Sequence, residues 1–193
     1  MAEFNTRAKP EIRVFAGPNG SGKSTITRKE YIIQPYINAD EIKQNYGCGD
    51  LEAAQMATEQ RELAVAERRS FTFETVLSTD RNLILLENAK AVGYFIRCSF
   101  VLTVDPSLNV ERVRYRVHAG GHNVPQDKVI SRYYRSLSFI PRLREVCDRL
   151  NIYDNSLDKP FRIFKKRDEQ MQIFRSDVWY PDEIVNLVTL GHK

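Results

Sequence analysis

The stretch Gly17-Pro18-Asn19-Gly20-Ser21-Gly22-Lys23-Ser24, with Thr25 behind it, decides how the rest of this chain is read. It matches the spacing GxxxxGK[ST] at every fixed position. The apolar run Ile12-Arg13-Val14-Phe15-Ala16 before it reads as a short buried strand, and a helix is expected from Lys23. Physically the motif is an anion cradle. Glycines reach backbone angles that other residues avoid, so successive N–H groups can turn inward around a phosphate. The N-terminus of the following helix adds partial positive charge. Lys23 is placed to neutralise β- and γ-phosphates, and the Ser24 hydroxyl to ligate Mg²⁺. Gly17 to Thr25 are therefore the expected binding loop for the phosphates of a nucleotide with Mg²⁺.

Outward from the loop, the pattern alternates between strand and helix. Further strands are expected at Tyr36–Asn38, Ser70–Glu74, Tyr94–Val104 and Leu150–Tyr153, and a terminal β pair at Phe161–Phe164 and Met171–Phe174. Helices are expected at about Leu51–Arg69 (capped by Asp50), Arg81–Ala91, Ser107–His118, from Asp127 with a kink at Pro141, and after Tyr180. Such alternation predicts an α/β fold: a parallel five-stranded sheet of P-loop NTPase or kinase type, helices on both faces, and a helical lid. Ligands of such sheets bind beyond the carboxyl ends of the strands. That directs attention to Gly17–Ser24, Asp40, Glu74–Ser78 and Asp105.

The 193 residues suit a single domain at 11–193, with a flexible lead-in at 1–10 and the lid at about 112–136. With 42% hydrophobic and 28% charged residues the chain has an ordinary globular composition. It has no run long enough to span a membrane and no apolar core of secretory type near its start. Cys48, Cys98 and Cys147 are odd in number and widely spaced, which fits a reduced, cytoplasmic protein and gives no zinc signal. His118 and His122 flank Gly120-Gly121, a poor helical ligand pair. The net charge of +4 is concentrated: from Glu111 to Arg149 nine Lys/Arg face four acids, which suggests an anionic ligand.

The loop alone does not specify a reaction. There is no NKxD guanine signature, no apolar run ending in Asp-Glu, and no LSGGQ-like segment. A basic, glycine-hinged helical pair follows instead, as in small kinases whose arginine-bearing lid excludes water from the transferring phosphoryl group. Arg116, Arg132 and Arg135 are the expected lid arginines, with Arg112 secondary, because a guanidinium fork suits phosphoryl oxygens. Arg114, Arg142, Arg144 and Arg149 read as surface. Asp40 is the candidate acceptor of the substrate hydroxyl proton, against the alternative that it caps the helix ahead of it. Glu74 stands at a strand end, where a carboxylate is costly unless it faces the cleft, a partner such as an arginine, or a metal. His122 is either a phosphate contact or a turn residue, and Asn155-Ser156 lies where an adenine pocket is expected by position.

Four stretches, Gly17–Thr25 (GPNGSGKST), Tyr36–Lys43 (YINADEIK), Phe73–Ser78 (FETVLS) and Arg112–Ser136 (RVRYRVHAGGHNVPQDKVISRYYRS), together resemble the zeta toxin family of P-loop kinases, in its short bacterial branch. They run in family order across roughly residues 10 to 155. The resemblance implies ATP-dependent phosphorylation of a small-molecule hydroxyl. For the toxins the substrate is UDP-N-acetylglucosamine, phosphorylated on the 3′-hydroxyl of the sugar, and an antitoxin commonly covers the nucleotide site. It implies Asp40 as catalytic base, and Glu74, Thr75 and Ser78 as substrate contacts. This chain departs from the full toxins in its compact region between the second and third strands. Nucleoside, nucleotide or polynucleotide kinase activity and a non-catalytic nucleotide switch stay open. The lid carries few charges and no interleaved aromatics, which disfavours a nucleic-acid partner.

Overall fold

The computed structural model describes residues 9–120 and 124–191. Residues 1–8 of the expected lead-in, and Gly121 and His122 of the expected hinge, lie outside the described residues. In chain order the elements are β1 (Glu11–Ala16), α1 (Lys23–Thr27), β2 (Tyr36–Ile37), α2 (Ala39–Tyr46), α3 (Asp50–Ala66), β3 (Phe71–Thr75), α4 (Arg81–Ala91), β4 (Phe95–Leu102), α5 (Pro106–His118), α6 (Gln126–Ser138), α7 (Ile140–Val146), β5 (Arg149–Asp154), β6 (Phe161–Arg167), β7 (Gln170–Ile173) and α8 (Pro181–Thr189).

One sheet runs in the order β2-β3-β1-β4-β5-β6-β7. The first five strands in that order are parallel, as expected. The sheet has seven strands, however, not five. The terminal pair joins the β5 edge, with β6 antiparallel to β5 and β7 antiparallel to β6. The physical reason is the short link between Asp154 and Phe161: it holds no crossover helix, and a short connection can only return the chain antiparallel.

The strand β1 is the middle one of the five parallel strands, with β3 and β4 on its flanks, and the chain leaves it toward the β2 edge before crossing to the other side. The loop after β1 is thus at the point where the strand order reverses, where doubly wound sheets place ligands. Buried β1 residues Ile12, Val14 and Ala16 join β3, β4 and the inner faces of the helices in the main core, while Phe15 packs with Ile26 and Val101 in a smaller cluster.

Three local expectations are corrected. Gly49, not Asp50, occupies the cap position of α3, and the helix ends at Ala66. Arg68 then takes a left-handed φ of 54°, so Arg68-Arg69 lies in the turn rather than the last helical turn. The expected kink at Pro141 is a full break between α6 and α7, because Pro141 has no N–H to continue the ladder and suits a helix start instead.

The basic helical pair is anchored unevenly. Tyr133 and Leu137 of α6 belong to the main core, and the Tyr133 and Ser136 hydroxyls donate to the Thr103 (2.6 Å) and Val76 (2.8 Å) carbonyls. Val110 and Val113 of α5 and Val129 of α6 form a cluster of their own, flanked by Val117, Val124 and Ile130. Among the described residues, no helix is long and apolar enough to cross a membrane.

Candidate active site

At Gly17 the chain leaves β1 with φ 141°, and a Cβ there would stand 2.0 Å from the Val101 carbonyl oxygen. At Gly22, φ is 88° and a Cβ would stand 2.1 Å from Asn155 Nδ2. Both positions therefore require glycine for angle and for space. The loop is braced from outside. Asn109 Nδ2 donates to the Asn19 carbonyl (2.6 Å), Asn155 Nδ2 to the Ser21 carbonyl (2.8 Å), and Gly17 N–H to the Thr75 carbonyl (3.2 Å). Asn109 is itself held by the Thr103 hydroxyl. The helix α1 behind the loop has only five residues, so the cradle rests on loop N–H groups more than on a helix dipole.

Lys23 is buried, and its ammonium donates to the Gly17 (2.9 Å) and Pro18 (3.2 Å) carbonyls. It lies 3.9 Å from Glu74 Oε1. Burial pushes its pKa down, the Glu74 charge pulls it back up, Arg116 pushes it down, and Asp40 raises it; the net direction is down. The charges of Glu74, Arg116 and Asp40 thus all bear on Lys23.

Glu74 pairs with Lys23 rather than with an arginine, and its Oε2 accepts from the Tyr36 hydroxyl (3.1 Å). Burial and the Glu74 charge push the Tyr36 phenol far up, so it stays a proton donor to that carboxylate. Asn38 Nδ2 donates to the same phenol oxygen (3.2 Å), and Asn38 Oδ1 accepts from the Asp40 N–H (2.9 Å) as the cap of α2. The cap is therefore Asn38. Asp40 sits one residue inside the helix, with an exposed side chain facing the cleft. Asn38 and Tyr36 link the base of the Asp40 helix to Glu74 and Lys23.

Two adjoining cavities, of about 680 and 1050 Å³, share Asn19, Asp40 and Arg116 on their walls. Lys23, Glu74 and Thr75 line the first; Ser78 and Arg132 line the second. The Thr75 hydroxyl already accepts from Leu77 N–H (2.9 Å) and Asn82 Nδ2 (2.8 Å). Arg132 reaches the Asn19 side chain (Nη1 to Oδ1, 3.4 Å). Arg135 is exposed and lines neither cavity. Ser24 is exposed, and its hydroxyl makes no hydrogen bond among the described residues.

Arg142 forks onto Glu87 (2.8 Å), and Arg149 stacks on Phe95 (5.6 Å), both away from the cleft. Asn155 Nδ2 donates to the loop, and the Ser156 hydroxyl donates to Asp154 (2.6 Å). Sequence reasoning missed the braces Asn109 and Asn155, the Tyr36–Asn38 link, and Arg61, which lines the first cavity from α3. Asn38, two residues before Asp40, was recoverable as a cap from sequence; the others had no local signal.

No family model matches the chain. An uncharacterized protein of Haemophilus influenzae is 29% identical over 125 residues, covering 62% of this chain and 89% of that protein. The fold is shared with a chain of the AvrRxo1-ORF1:AvrRxo1-ORF2 complex, solved with sulphate ions (TM-score 0.67, 13% identity) and with ATP (TM-score 0.67, 12% identity). This likeness covers 94% of the present chain but only 64% of the length of that one. It is shared too with a chain of the PezAT chromosomal toxin-antitoxin system of Streptococcus pneumoniae (TM-score 0.57, 19% identity, 94% of this chain and 84% of that one). These likenesses agree with the zeta-toxin resemblance and the P-loop kinase architecture at the level of the fold.

Proposed function

We propose that the protein is a kinase of the zeta-toxin type that transfers the γ-phosphoryl group of ATP to a hydroxyl of a small molecule. The observation that carries this reading is the meeting of Lys23, Glu74, Asp40 and Arg116 on one cavity beside a braced phosphate loop. In the reaction, the acceptor oxygen forms a bond to the γ-phosphorus as the bond to the β-γ bridging oxygen breaks. ADP leaves, and the acceptor proton passes to Asp40. Asp40 is free for this because Asn38 does the capping. Lys23 trades the loop carbonyls for the β- and γ-phosphate oxygens. Arg116 and Arg132 carry charge toward the phosphoryl group as it transfers. Glu74, held by Tyr36, keeps Lys23 in place and faces the acceptor.

The donor set fits Mg²⁺. Among the described residues no three His, Cys, Asp or Glu gather as a metal cage, and the unengaged Ser24 hydroxyl is a hard oxygen suited to an ion that arrives largely ligated by phosphates and water. Such an ion would neutralise charge on the transferring phosphates.

The likeness to a complex solved with ATP supports ATP as donor. The likeness to a toxin-antitoxin system supports an antitoxin partner, and the sequence resemblance supports a UDP-amino sugar such as UDP-N-acetylglucosamine as acceptor. The test is a product-mass screen with ATP, Mg²⁺ and UDP-sugars, nucleosides and nucleotides. A gain of one phosphoryl mass that disappears in Asp40→Asn is expected. Nucleotide binding with no phosphorylated product from any acceptor overturns the reading in favour of a nucleotide switch.

A further inference from the structure

The two edges of the sheet are built differently. At one edge β2 is only Tyr36-Ile37, with Pro35 directly before it, so it offers a second strand little to pair with. At the other edge lies β7, Gln170-Met171-Gln172-Ile173, and every one of its residues is exposed. The usual protections of an edge strand are missing: β7 carries no charge, no proline and no bulge. The cations of the hairpin, Lys165, Lys166 and Arg167, sit on β6, one strand further in. Met171 is 58% exposed and Ile173 37%, and the two share a face because they are two positions apart.

The backbone of this edge sets which groups are on offer. Phe174 N–H donates to the Ile163 carbonyl (2.9 Å), and β7 pairs antiparallel to β6 with Gln172 opposite Lys165 and Gln170 opposite Arg167. Antiparallel bonding alternates along a strand, so Gln170 and Gln172 turn their backbone groups toward β6 as Phe174 does, and Met171 and Ile173 turn theirs outward. An antiparallel strand added here must set outward-facing residues opposite outward-facing ones. For a second copy of β7, the register that pairs Met171 with Ile173 also sets Gln172 against Gln172 on a two-fold axis and Glu169 against Arg175. A slip to either side brings like charges together, Arg175 against Arg167 or Glu169 against Asp177. Among the described residues, neither the Glu169 nor the Arg175 side chain has a hydrogen bond or ion pair within its own chain.

We propose that β7 is a self-association edge: two copies of this chain pair through antiparallel β7 strands in that register, joining their sheets into one. Met171 and Ile173 of each copy then exchange both backbone bonds with their opposite residues and pack as cross-strand apolar pairs. None of the β7 residues lines either active-site cavity, so the contact does not involve the cleft. One strand pair is smaller than the interface of a permanent dimer, so the dimer forms and dissociates with concentration. Pairing of this edge is independent of the kinase reading.

The test is sedimentation velocity of the full chain from micromolar to near-millimolar concentration. The wild type should move from the 22.4 kDa monomer toward twice that mass. Ile173→Pro removes an outward N–H and no bond to β6, in the one kind of strand that accepts proline, and should weaken association by about tenfold to a hundredfold. Arg175→Glu should weaken it too, and adding Glu169→Arg should restore it, which a misfolded variant would not do. Register is read with Gln172→Cys in a Cys48→Ser background, which leaves only the two buried cysteines besides. Across the axis the paired Cα atoms come within disulfide range, so mild oxidation should yield a covalent dimer. Gln170→Cys, opposite Phe174 instead of itself, should stay monomeric under the same oxidation. A monomer at every concentration with no crosslink at position 172 overturns the proposal and leaves the edge to a strand from another protein. A dimer that neither Ile173→Pro nor Arg175→Glu weakens overturns it as well, since that dimer forms elsewhere.

Discussion

The phosphate loop and the basic helical pair carry the two halves of the proposed chemistry on opposite kinds of support. The loop is locked. Its glycines press against Val101, Asn109 and Asn155, its carbonyls accept from two buried asparagines, and Lys23 is folded into it. The pair is lightly held where it bears its arginines. Around Arg116 and the start of α6 there is a three-valine cluster separate from the main core, and a hydrogen bond from Arg114 to Gln126 (2.9 Å). Asn19 is where the two regions meet, since α5 holds its carbonyl through Asn109 and α6 reaches its side chain through Arg132. The contrast teaches a division of labour. A cradle for phosphates can be prepaid in the fold, whereas charges that matter while the phosphoryl group moves stand on the more weakly packed element.

Four measurements test that contrast. The largest effect is expected for Lys23→Ala, which removes the loop's point charge. Single-turnover transfer should fall by about a thousandfold or more, at the upper end for losing one preorganised electrostatic group. Wild-type turnover in this variant would detach the loop from the chemistry.

Asp40→Asn should lower transfer by roughly 10²–10⁴-fold, the usual worth of a positioned base. Because Asn38 is the cap, the thermal melt and ATP affinity should not change. Asn38→Ala is the reciprocal experiment. It should cost about 1 kcal/mol in urea unfolding, the typical value of a lost cap. A melt lowered by Asp40→Asn and untouched by Asn38→Ala would reverse the two roles.

The third measurement sets the regions directly against each other. Arg116→Ala and Arg132→Ala should lower kcat by about 10²–10³-fold with ATP affinity little changed, as expected for donors felt mainly in the transition state. Asn155→Ala should do the opposite, weakening ATP binding by about tenfold through loss of a buried hydrogen bond that shapes the loop. If kcat and ATP affinity move together in all three variants, loop and helices form one unit and the contrast dissolves.

The smallest effect gauges the scaffold beneath both regions. Asp148 accepts from Ile96 N–H (2.8 Å) and pairs with Lys90 at the start of β4. Burial pushes its pKa up, but the Ile96 N–H and Lys90 outweigh burial, and the net direction is down. A folded pKa below the unfolded one gives stability that is present above the ordinary carboxylate range and lost as pH falls through the folded value. Urea unfolding of wild type and Asp148→Asn should therefore differ at pH 7 and converge in acid. A constant difference across pH would remove this carboxylate from the stability of the sheet.

The glycine loop, the five parallel strands, the break before α6 and the valines of α5 were all legible in the amino-acid order, because each depends on residues within a few positions of one another. A phosphate loop is a spacing, a buried strand is a run of apolar residues, and an amphipathic helix is a period. The candidate residues at strand ends followed from the same order once a parallel sheet was expected. Lys23, Asp40 and Glu74 from the strand ends and Arg116 from the lid come together on one cavity, while the lid residue Arg135, three positions from Arg132, lines neither.

Local order could not decide what depends on chain segments far apart. Asn109 and Asn155 brace carbonyls 90 and 134 residues away. The attachment of β6 and β7 to β5 made a five-stranded expectation into seven strands. Arg61 looks in sequence like one more cation on a helix rich in Ala, Glu and Gln, and only the tertiary structure buries it over the Phe73 ring and within reach of the Arg81 charge. Short-range patterns determine which residues can bind phosphate and where strands and helices form, since those follow from backbone angles and periodicity. Which side chains lose their water, and which of them are left without a partner, is decided only when the sheet assembles, because burial belongs to neighbours that the sequence does not place side by side.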